Sequence, residues 1–361
     1  MSAETIQTEW RVIGETVPGA SHIRSGTPNQ DAIFYVRESS RETPIVLSVA
    51  DGHGSAKCFR SDRGSRFAVK KSVQLISDFL DERRGKFDVA EIENSKVYLT
   101  EEFVKRWHKA VEDDIEKEPF TEKEFEVLTD KSGAEAKKFV EENPLLAYGT
   151  TSLTIAIEAE FIIYMQLGDG DILNLSANGE VKKPLSEDPR LLANETTSMC
   201  LPKAEKDFRF LVQKISVDES PAMILLSTDG YLNSFSNEAG FFQAGTDIQT
   251  MLAAENGFKD VSDNLKAWLT EATAMGSGDD CTVAIIYRPE ALKKPEKTET
   301  TNIETPPSPE TSQAIAALTD SEVVSPENME DVTVTITIKK DKNKISKEEM
   351  KINRDEKDKQ G

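Results

Sequence analysis

Residues 45–54 read IVLSVADGHG, an apolar and β-branched run that stops at an aspartate beside a glycine. Such a run predicts a strand that is buried on both faces. Two other apolar runs end in the same way, in QLGDGD (166–171) and LLSTDG (225–230). A strand end holds a carboxylate rigidly at the rim of a sheet, and the glycine lets the backbone approach a cation closely. Asp-Gly also suits a tight hairpin turn, but its threefold recurrence favours a cation site.

Two further acidic positions border predicted strands. Asp31 lies in PNQDAIFYV just before one strand, and Asp279 lies in GSGDDCTVAII at the start of another. Carboxylates gathered at one place repel each other, so divalent cations would hold them ionised. The chain has only 3 histidines, which argues against a site built mainly from imidazole, whereas oxygen ligands suit Mg²⁺ or Mn²⁺. A pair of such ions can activate water and clamp a phosphoryl group.

The order of strand and helix patterns indicates the architecture. Strands are predicted at 45–50, 152–159, 161–168, 222–230 and 281–287, and helix-like spacing covers 60–83, 89–142 and 241–269. The strands occur in sequential clusters that a long helical block separates. This order favours packed antiparallel sheets with helices outside over a regular βαβ repeat.

Composition excludes several classes of protein. The 65 acidic and 44 basic residues give a net charge of −21, which disfavours binding to a nucleic-acid backbone. No apolar run reaches the roughly 18 residues that a membrane span needs, and MSAETIQTEW lacks the features of a secretory signal. We therefore expect a cytoplasmic protein with no membrane partner. The 3 cysteines are far apart with no CxxC, which predicts buried or idle thiols.

The last aromatic residue, Tyr287, marks the predicted end of the folded part. The sequence after it is polar and contains Pro-rich TPPSPE, so it cannot bury a core. We predict a folded domain at 1–288 and a low-complexity, disordered tail at 289–361. Within the tail, DVTVTITIKK (331–340) alternates β-branched residues. It is either an incidental β-prone stretch or a strand that pairs with a sheet edge or a protein partner.

Six motifs in order carry a resemblance to a known family. They are NQDAIFYV, VADGHGS, YGTTSLTIAI, QLGDGDIL, LLSTDGYLNSF and GSGDDCTVAIIY. Over about residues 10–288 the chain resembles the metal-dependent protein serine/threonine phosphatases of type 2C. The resemblance implies an α+β fold, a four-layer α-β-β-α sandwich of two antiparallel sheets flanked by helices. It also implies a cluster of two divalent cations, Mn²⁺ or Mg²⁺, at one end between the sheets.

The resemblance assigns the metal ligands position by position. Asp51 would bridge the two ions, and the backbone carbonyl of Gly52 would bind one of them. The remaining carboxylates of the cluster would be Asp31, Asp229 and Asp279, some of them acting through water.

Two further roles follow from the same resemblance. Asp169 would form a weaker third metal site with Asp229, while the nearby Asp171 has no firm role. His53 resembles the acid that protonates the leaving seryl or threonyl oxygen. Without that context, a histidine after Asp-Gly would be read as an ordinary surface turn residue.

The substrate-binding pattern departs from the family. Many members place a phosphate-gripping arginine five residues before the first metal aspartate, where this chain has Gly26. Arg24 and His22 lie just upstream and could reach the same space, although an exposed arginine is often only solubilising. Asp280 stands where many relatives have asparagine. The irregular segment 184–208 lies where bacterial members carry a flap, and it is either that flap or a plain connection.

Three functions compete at this point. The first is hydrolysis of phosphoserine and phosphothreonine in a protein substrate, reversing a cognate serine/threonine kinase. The second is a pseudophosphatase that binds a phosphoprotein or partner without turnover, which the missing arginine suggests. The third is a metal-dependent nuclease or phosphodiesterase, which the acidic charge disfavours. The intact metal acids favour the first function.

Overall fold

Strands account for the centre of the molecule. The computed structural model describes residues 9–37, 44–83, 88–188, 190, 196–216 and 220–292. The strands are β1 (Arg11–Val17), β2 (Ala32–Arg37), β3 (Ile45–Ala50), β4 (Ser152–Ile157), β5 (Phe161–Leu167), β6 (Asp171–Leu175), β7 (Val181–Lys182), β8 (Arg209–Lys214), β9 (Met223–Ser227) and β10 (Cys281–Tyr287). They form two antiparallel sheets, with orders β1-β10-β9-β6-β7 and β2-β3-β4-β5-β8.

Helices cover the outer faces of both sheets. They are α1 (Ala20–Ser25), α2 (Ser61–Asp81), α3 (Val89–Asn94), α4 (Lys96–Lys117), α5 (Glu122–Ser132), α6 (Ala134–Glu142), α7 (Asp229–Leu232), α8 (Glu238–Leu252) and α9 (Gly257–Met275). Their starts follow from local sequence. Thr121 and Glu124 form a reciprocal capping box at α5, and Asn237 caps α8 by accepting the Gly240 N–H. Both caps satisfy amides that have no partner within the helix.

Three buried cores separate the four layers, as strand β3 illustrates. Its residues Ile45, Leu47 and Val49 lie in the core between the two sheets, whereas Val46 and Ala50 join the core under the helices on the other face. Alternate side chains of a strand point to opposite faces, so all six residues are buried. The predicted four-layer α+β sandwich of two antiparallel sheets is confirmed.

The sequence patterns locate most elements but miss several strands. The block 89–142 contains the four helices α3 to α6, and the helix predicted at 60–83 is α2. The strand predicted at 222–230 ends at Ser227 because Asp229 begins α7. Strand β8 is only half-buried, so it lacks the apolar run that marks the central strands.

Two predictions concern regions that the structure covers in part or not at all. The predicted tail lies outside the described residues from 293 onward, including the strand predicted at 331–340. Segment 184–208 is described except at 189 and 191–195. Its described part contains a short 3₁₀ turn at Ala204–Lys206. Within the described residues, no helix is both long enough and apolar enough to span a bilayer.

Candidate active site

Five aspartates from both sheets meet at one end of the sandwich. Asp51 directly follows β3, Asp229 follows β9, Asp31 precedes β2, Asp169 lies between β5 and β6, and Asp279 precedes β10. Electrostatic interactions link them: Asp51 with Asp31, Asp229 and Asp279, and Asp229 with Asp169. The structure thus brings together all five acids that were predicted as metal ligands. We call these five residues the carboxylate cluster.

Asp51 and Asp229 stand at the centre of the cluster. Their carboxyl groups lie close enough to interact directly, and two ionised carboxylates that approach in this way repel each other unless a proton or a cation lies between them. Burial, followed by repulsion from Asp31 and Asp229, raises the pKa of Asp51 well above its usual range. Burial and the charges of Asp169 and Asp279 also raise the pKa of Asp229. Ionisation of these two carboxyl groups is therefore energetically unfavourable in the absence of a cation.

Asp31 is fixed by two threonines that sequence reasoning did not single out. The hydroxyls of Thr228 and Thr282 each donate to its Oδ2 over 2.7 Å. Burial raises the pKa of Asp31 well above the ordinary range, and these two hydrogen bonds oppose the rise. Thr228 immediately precedes Asp229, and this adjacency to an acid of the cluster is the sequence feature that could have identified it.

The backbone around Asp51 is held by the next strand. The Thr151 N–H and the Thr150 hydroxyl donate to the Asp51 carbonyl over 2.8 and 2.7 Å. Gly52 is packed so closely that a Cβ would lie 2.6 Å from the carbonyl oxygen of Ser61. Only glycine fits there. Thr150 and Thr151 thus act as scaffold residues that fix the backbone at Asp51.

His53 is anchored from several directions. Its backbone N–H donates to the Gly149 carbonyl over 3.0 Å, and its Nε2 lies 2.7 Å from the Ser198 hydroxyl. Burial lowers the pKa of the imidazole, while the charge of Asp169 opposes that change. The predicted acid therefore lies beside the carboxylate cluster, with one ring nitrogen already engaged.

The second acid of the Asp279–Asp280 pair has a structural role. Asp280 is buried and accepts hydrogen bonds from the backbone N–H groups of Gly19 and Gln30 over 2.6 and 2.7 Å. Its Oδ1 also lies 2.9 Å from Nδ1 of His22. These partners occupy both oxygens of Asp280, although its side chain, His22 and Asp279 have potential ligand atoms within 4.8 Å of one another. Asp280 thus ties the N-terminal segment to the start of β10.

The two residues predicted to bind the substrate phosphate, His22 and Arg24, lie in different environments. His22 turns to Asp280, and its Nε2 lies 3.6 Å from Asp279, so it borders the carboxylate cluster. Arg24 is exposed at the end of α1. Gly26 caps that helix with φ +73°, a left-handed backbone that an arginine would adopt only under strain. The glycine that replaces the family's arginine at position 26 is therefore required by the backbone conformation of this turn.

Asp171 belongs to a different environment from Asp169. It is buried and pairs with Lys183 over 2.9 Å, and Lys183 also pairs with Glu238 of α8. Burial raises the pKa of Asp171, while the ammonium of Lys183 opposes the rise. Asp171 is thus neutralised by a lysine and takes no part in the carboxylate cluster.

The cysteines are free thiols. Cys58 and Cys281 are buried, and Cys200 is partly exposed. Burial raises the pKa of Cys58 to about 12, which keeps it a thiol at neutral pH. Burial is thus confirmed for two of the three thiols.

Comparisons with known proteins place this geometry in a family. The family model described as Protein phosphatase 2C matches residues 18–270. No curated protein sequence matches the chain.

Solved structures of bacterial phosphatases are similar to the chain at low identity. The serine/threonine phosphatase Stp1 from Staphylococcus aureus is 13% identical, covering 78% of this chain and 95% of its own, with a TM-score of 0.47. The S. agalactiae serine/threonine phosphatase is 20% identical, covering 77% and 99%, with a TM-score of 0.47. The catalytic domain of PstP in complex with two manganese ions is 15% identical, covering 77% and 98%, with a TM-score of 0.45.

The family model spans more than two thirds of the chain and includes the first four acids of the carboxylate cluster in chain order, together with His53. The chain therefore belongs to the protein phosphatase 2C family, the protein serine/threonine phosphatases.

Proposed function

We propose that this chain hydrolyses phosphoserine and phosphothreonine in proteins with the help of two divalent cations, Mn²⁺ or Mg²⁺. One observation carries the proposal. Both sheets contribute to the carboxylate cluster, in which Asp31 is buried and Asp51 and Asp229 are partly buried. No ion pair joins these three acids to a basic side chain within the described residues. Neighbouring carboxylates that are wholly or partly removed from water and lack a basic partner need cations to ionise fully.

The donor set fits hard divalent cations. All donors are oxygens, which Mn²⁺ and Mg²⁺ prefer. Asp51 and the Gly52 carbonyl would hold the ions together with Asp31, Asp229 and Asp279, and Asp169 would add a third site with Asp229. When bound, such ions supply Lewis acidity that activates water and offsets negative charge on the phosphoryl group.

The chain's own residues prepare the remaining chemistry. As a water oxygen bonds to phosphorus, the bond from phosphorus to the seryl or threonyl oxygen breaks, and that oxygen needs a proton. His53 supplies the proton. Thr228 and Thr282 keep Asp31 in place, so the geometry exists before the substrate arrives.

In this proposal, residues of α1 contact the substrate phosphate. Arg24 is the basic residue near the missing arginine position, and His22 borders the carboxylate cluster beside Asp279. A phosphorylated protein substrate and a cognate serine/threonine kinase follow from the reaction. A cytoplasmic location and an interaction role for the tail stay predictions.

The test is phosphate release from a phosphothreonine peptide by the purified protein with Mn²⁺, with EDTA, and with Asp229→Asn. We expect turnover that requires metal and falls at least about 100-fold in the variant. Asp171→Asn is the matched control, because it removes a buried acid that pairs with Lys183 outside the cluster. This control should keep metal-dependent turnover.

Two other results would replace the proposal. A folded protein that binds Mn²⁺ but releases no phosphate would be a pseudophosphatase. A protein that cleaves a phosphodiester but no phosphopeptide would be a phosphodiesterase.

A further inference from the structure

The turn between β5 and β6 carries Asp169 and is tightly confined by both sheets. We call residues 168–170 the Asp169 turn. A Cβ on its first glycine would overlap the side chain of Thr151, and a Cβ on its last glycine would lie 2.7 Å from the carbonyl oxygen of Ser227. The first glycine also has φ +98°, a left-handed backbone that glycine adopts without strain. The Asp169 turn therefore fits closely between the start of β4 and the end of β9.

Two paired side chains hydrogen-bond to the carbonyl groups of this turn. Gln166 of β5 and Arg209 of β8 are cross-strand partners. Nε2 of Gln166 donates to the Gly170 carbonyl, and Nη2 of Arg209 donates to the Gly168 carbonyl over 2.8 Å. Because a carbonyl only accepts, the donor is unambiguous in both hydrogen bonds. One pair of side chains thus holds the backbone on both sides of Asp169.

These hydrogen bonds act where the turn has little packing. A cavity of about 370 Å³ lies beside the Asp169 turn, and Gln166, Asp169 and Arg209 are among the residues that line it. A cavity wall lacks van der Waals partners on its open side. Polar contacts therefore have to fix the turn on this side.

The guanidinium of Arg209 also reaches the segment that follows β7. Its Nη1 donates to the Ser186 carbonyl over 3.1 Å, so one planar group links that segment to the Asp169 turn. Burial lowers the pKa of Arg209, while the charges of Asp188, Asp171 and Asp169 oppose this change. A lysine would keep the charge, but its ammonium lacks the rigid fork of donors. The geometry of the guanidinium is thus what joins the two backbone segments.

We propose that Arg209 and Gln166 are positioning residues that hold the backbone on both sides of Asp169 and thereby direct its carboxylate toward Asp229. This inference rests on the proposed phosphatase function, in which Asp169 and Asp229 would form the third cation site. The charges of these two acids already interact. Removal of a group that orients a metal ligand typically weakens metal binding or activity about 10- to 100-fold. Neither positioning residue needs to contact the cation or the substrate.

The first test titrates the metal-free, full-length protein with Mn²⁺ and measures free Mn²⁺ by electron paramagnetic resonance. The binding that Asp169→Asn loses defines the cation site that Asp169 serves. Arg209→Lys removes the planar fork, and Gln166→Leu removes the amide at similar size. We expect each variant to weaken that site about 10-fold and to leave the other sites unchanged.

Lys214→Met is the matched control for this titration. Lys214 is an exposed basic residue at the other end of β8, so its loss should leave every Mn²⁺ site as in the wild type. If Asp169→Asn itself binds Mn²⁺ like the wild type, Asp169 serves no cation and the inference is wrong.

The second test uses hydrogen exchange of the metal-free protein and depends on neither metal nor activity. Amides of the Asp169 turn should exchange about 3- to 10-fold faster in Arg209→Lys and Gln166→Leu, the effect expected from the loss of one hydrogen bond. Amides of β9 and β10 should exchange as in the wild type.

The inference requires both effects, and the absence of either would overturn it. Equal weakening of every cation site, together with faster exchange throughout the protein, would also overturn it, because that result would indicate a general loss of stability. Absence of phosphate release by the wild type would instead refute the phosphatase proposal. The Mn²⁺ titration and hydrogen exchange would still decide whether Arg209 and Gln166 position Asp169.

Discussion

The carboxylate cluster and the charged cluster around Arg60 both bury ionisable groups, but they balance charge differently. Arg60, which precedes α2, is 5% exposed. It donates to both oxygens of Glu124 over 2.7 and 3.0 Å and to the Tyr148 hydroxyl over 2.9 Å. Tyr148 in turn donates to Asp114 over 2.6 Å, and Asp114 pairs with Arg63. Each charge in this Arg60 cluster meets an opposite one.

The carboxylate cluster lacks that compensation. Asp51 and Asp229 interact with each other, and the charges acting on them come from other acids. Removal of one partner from a buried pair of opposite charges destabilises the protein, because the other charge is left uncompensated. Like charges that lie close together destabilise the protein until a cation neutralises them. This difference is the one expected if the Arg60 cluster stabilises the fold and the carboxylate cluster binds cations, as proposed.

The largest expected effect is on activity, from Asp31→Asn. The amide oxygen can still accept from Thr228 and Thr282, but the negative charge is lost. We expect metal-dependent turnover to fall about 100-fold or more, while the melting temperature of the metal-free protein rises because repulsion is removed. Phosphate release and thermal unfolding in EDTA measure the two effects. A variant with near-normal turnover would show that Asp31 is not a metal ligand.

The Arg60 cluster should respond in the opposite sense. Arg60→Ala leaves Glu124 and Asp114 without their buried partner, so we expect the free energy of unfolding to fall by about 3 kcal/mol. Turnover per folded molecule should not change. Arg63→Ala is the matched control, since that side chain is 32% exposed and should cost less than about 1 kcal/mol. Equal losses in urea unfolding would contradict the difference in burial.

Cations should stabilise the wild-type protein. Mn²⁺ at about 100 times its dissociation constant adds about 2.7 kcal/mol, or about 4–5 °C in melting temperature for a domain of this size. Asp229→Asn should lose most of this shift, whereas Arg60→Ala should keep it from a lower starting point. Differential scanning calorimetry with and without Mn²⁺ tests both. A shift of equal size in Asp229→Asn would place the cation elsewhere.

The smallest effect concerns acid stability. Burial acts to raise the pKa of Glu124, but Arg60 and Thr121 outweigh it and lower the pKa to about 2 from an ordinary 4.5. A carboxyl with a lowered pKa in the folded state stabilises the protein above the unfolded value, and this contribution is lost as pH falls from about 4.5 toward 2. Glu124→Gln should therefore flatten the pH dependence of unfolding in that window. If Glu124→Gln leaves the slope of unfolding free energy against pH unchanged, other acids determine the pH dependence in this window.

Sequence patterns predict the central strands well because their physics is local. A strand buried on both faces must be apolar throughout, as β3 and β10 are, and glycine beside aspartate marks where such strands stop. The half-buried β8 escapes the same reasoning because exposed positions accept almost any residue. The ordered motifs then indicate the family and, through it, the proposed metal ligands and the proposed acid His53.

Contacts between distant segments lie beyond such patterns. Nothing local to Ser198 indicates that it meets His53, which lies 145 positions away, or that Thr282 reaches Asp31 over 251 positions. Asp279 and Asp280 are adjacent and chemically identical, yet Asp279 joins the carboxylate cluster, whereas Asp280 accepts hydrogen bonds from backbone amides. The sequence alone therefore determines which residues are candidates to bind cations and where the strands that are buried on both faces run. Only the tertiary structure decides which oxygens remain free, because hydrogen-bond partners are set by packing between remote parts of the chain.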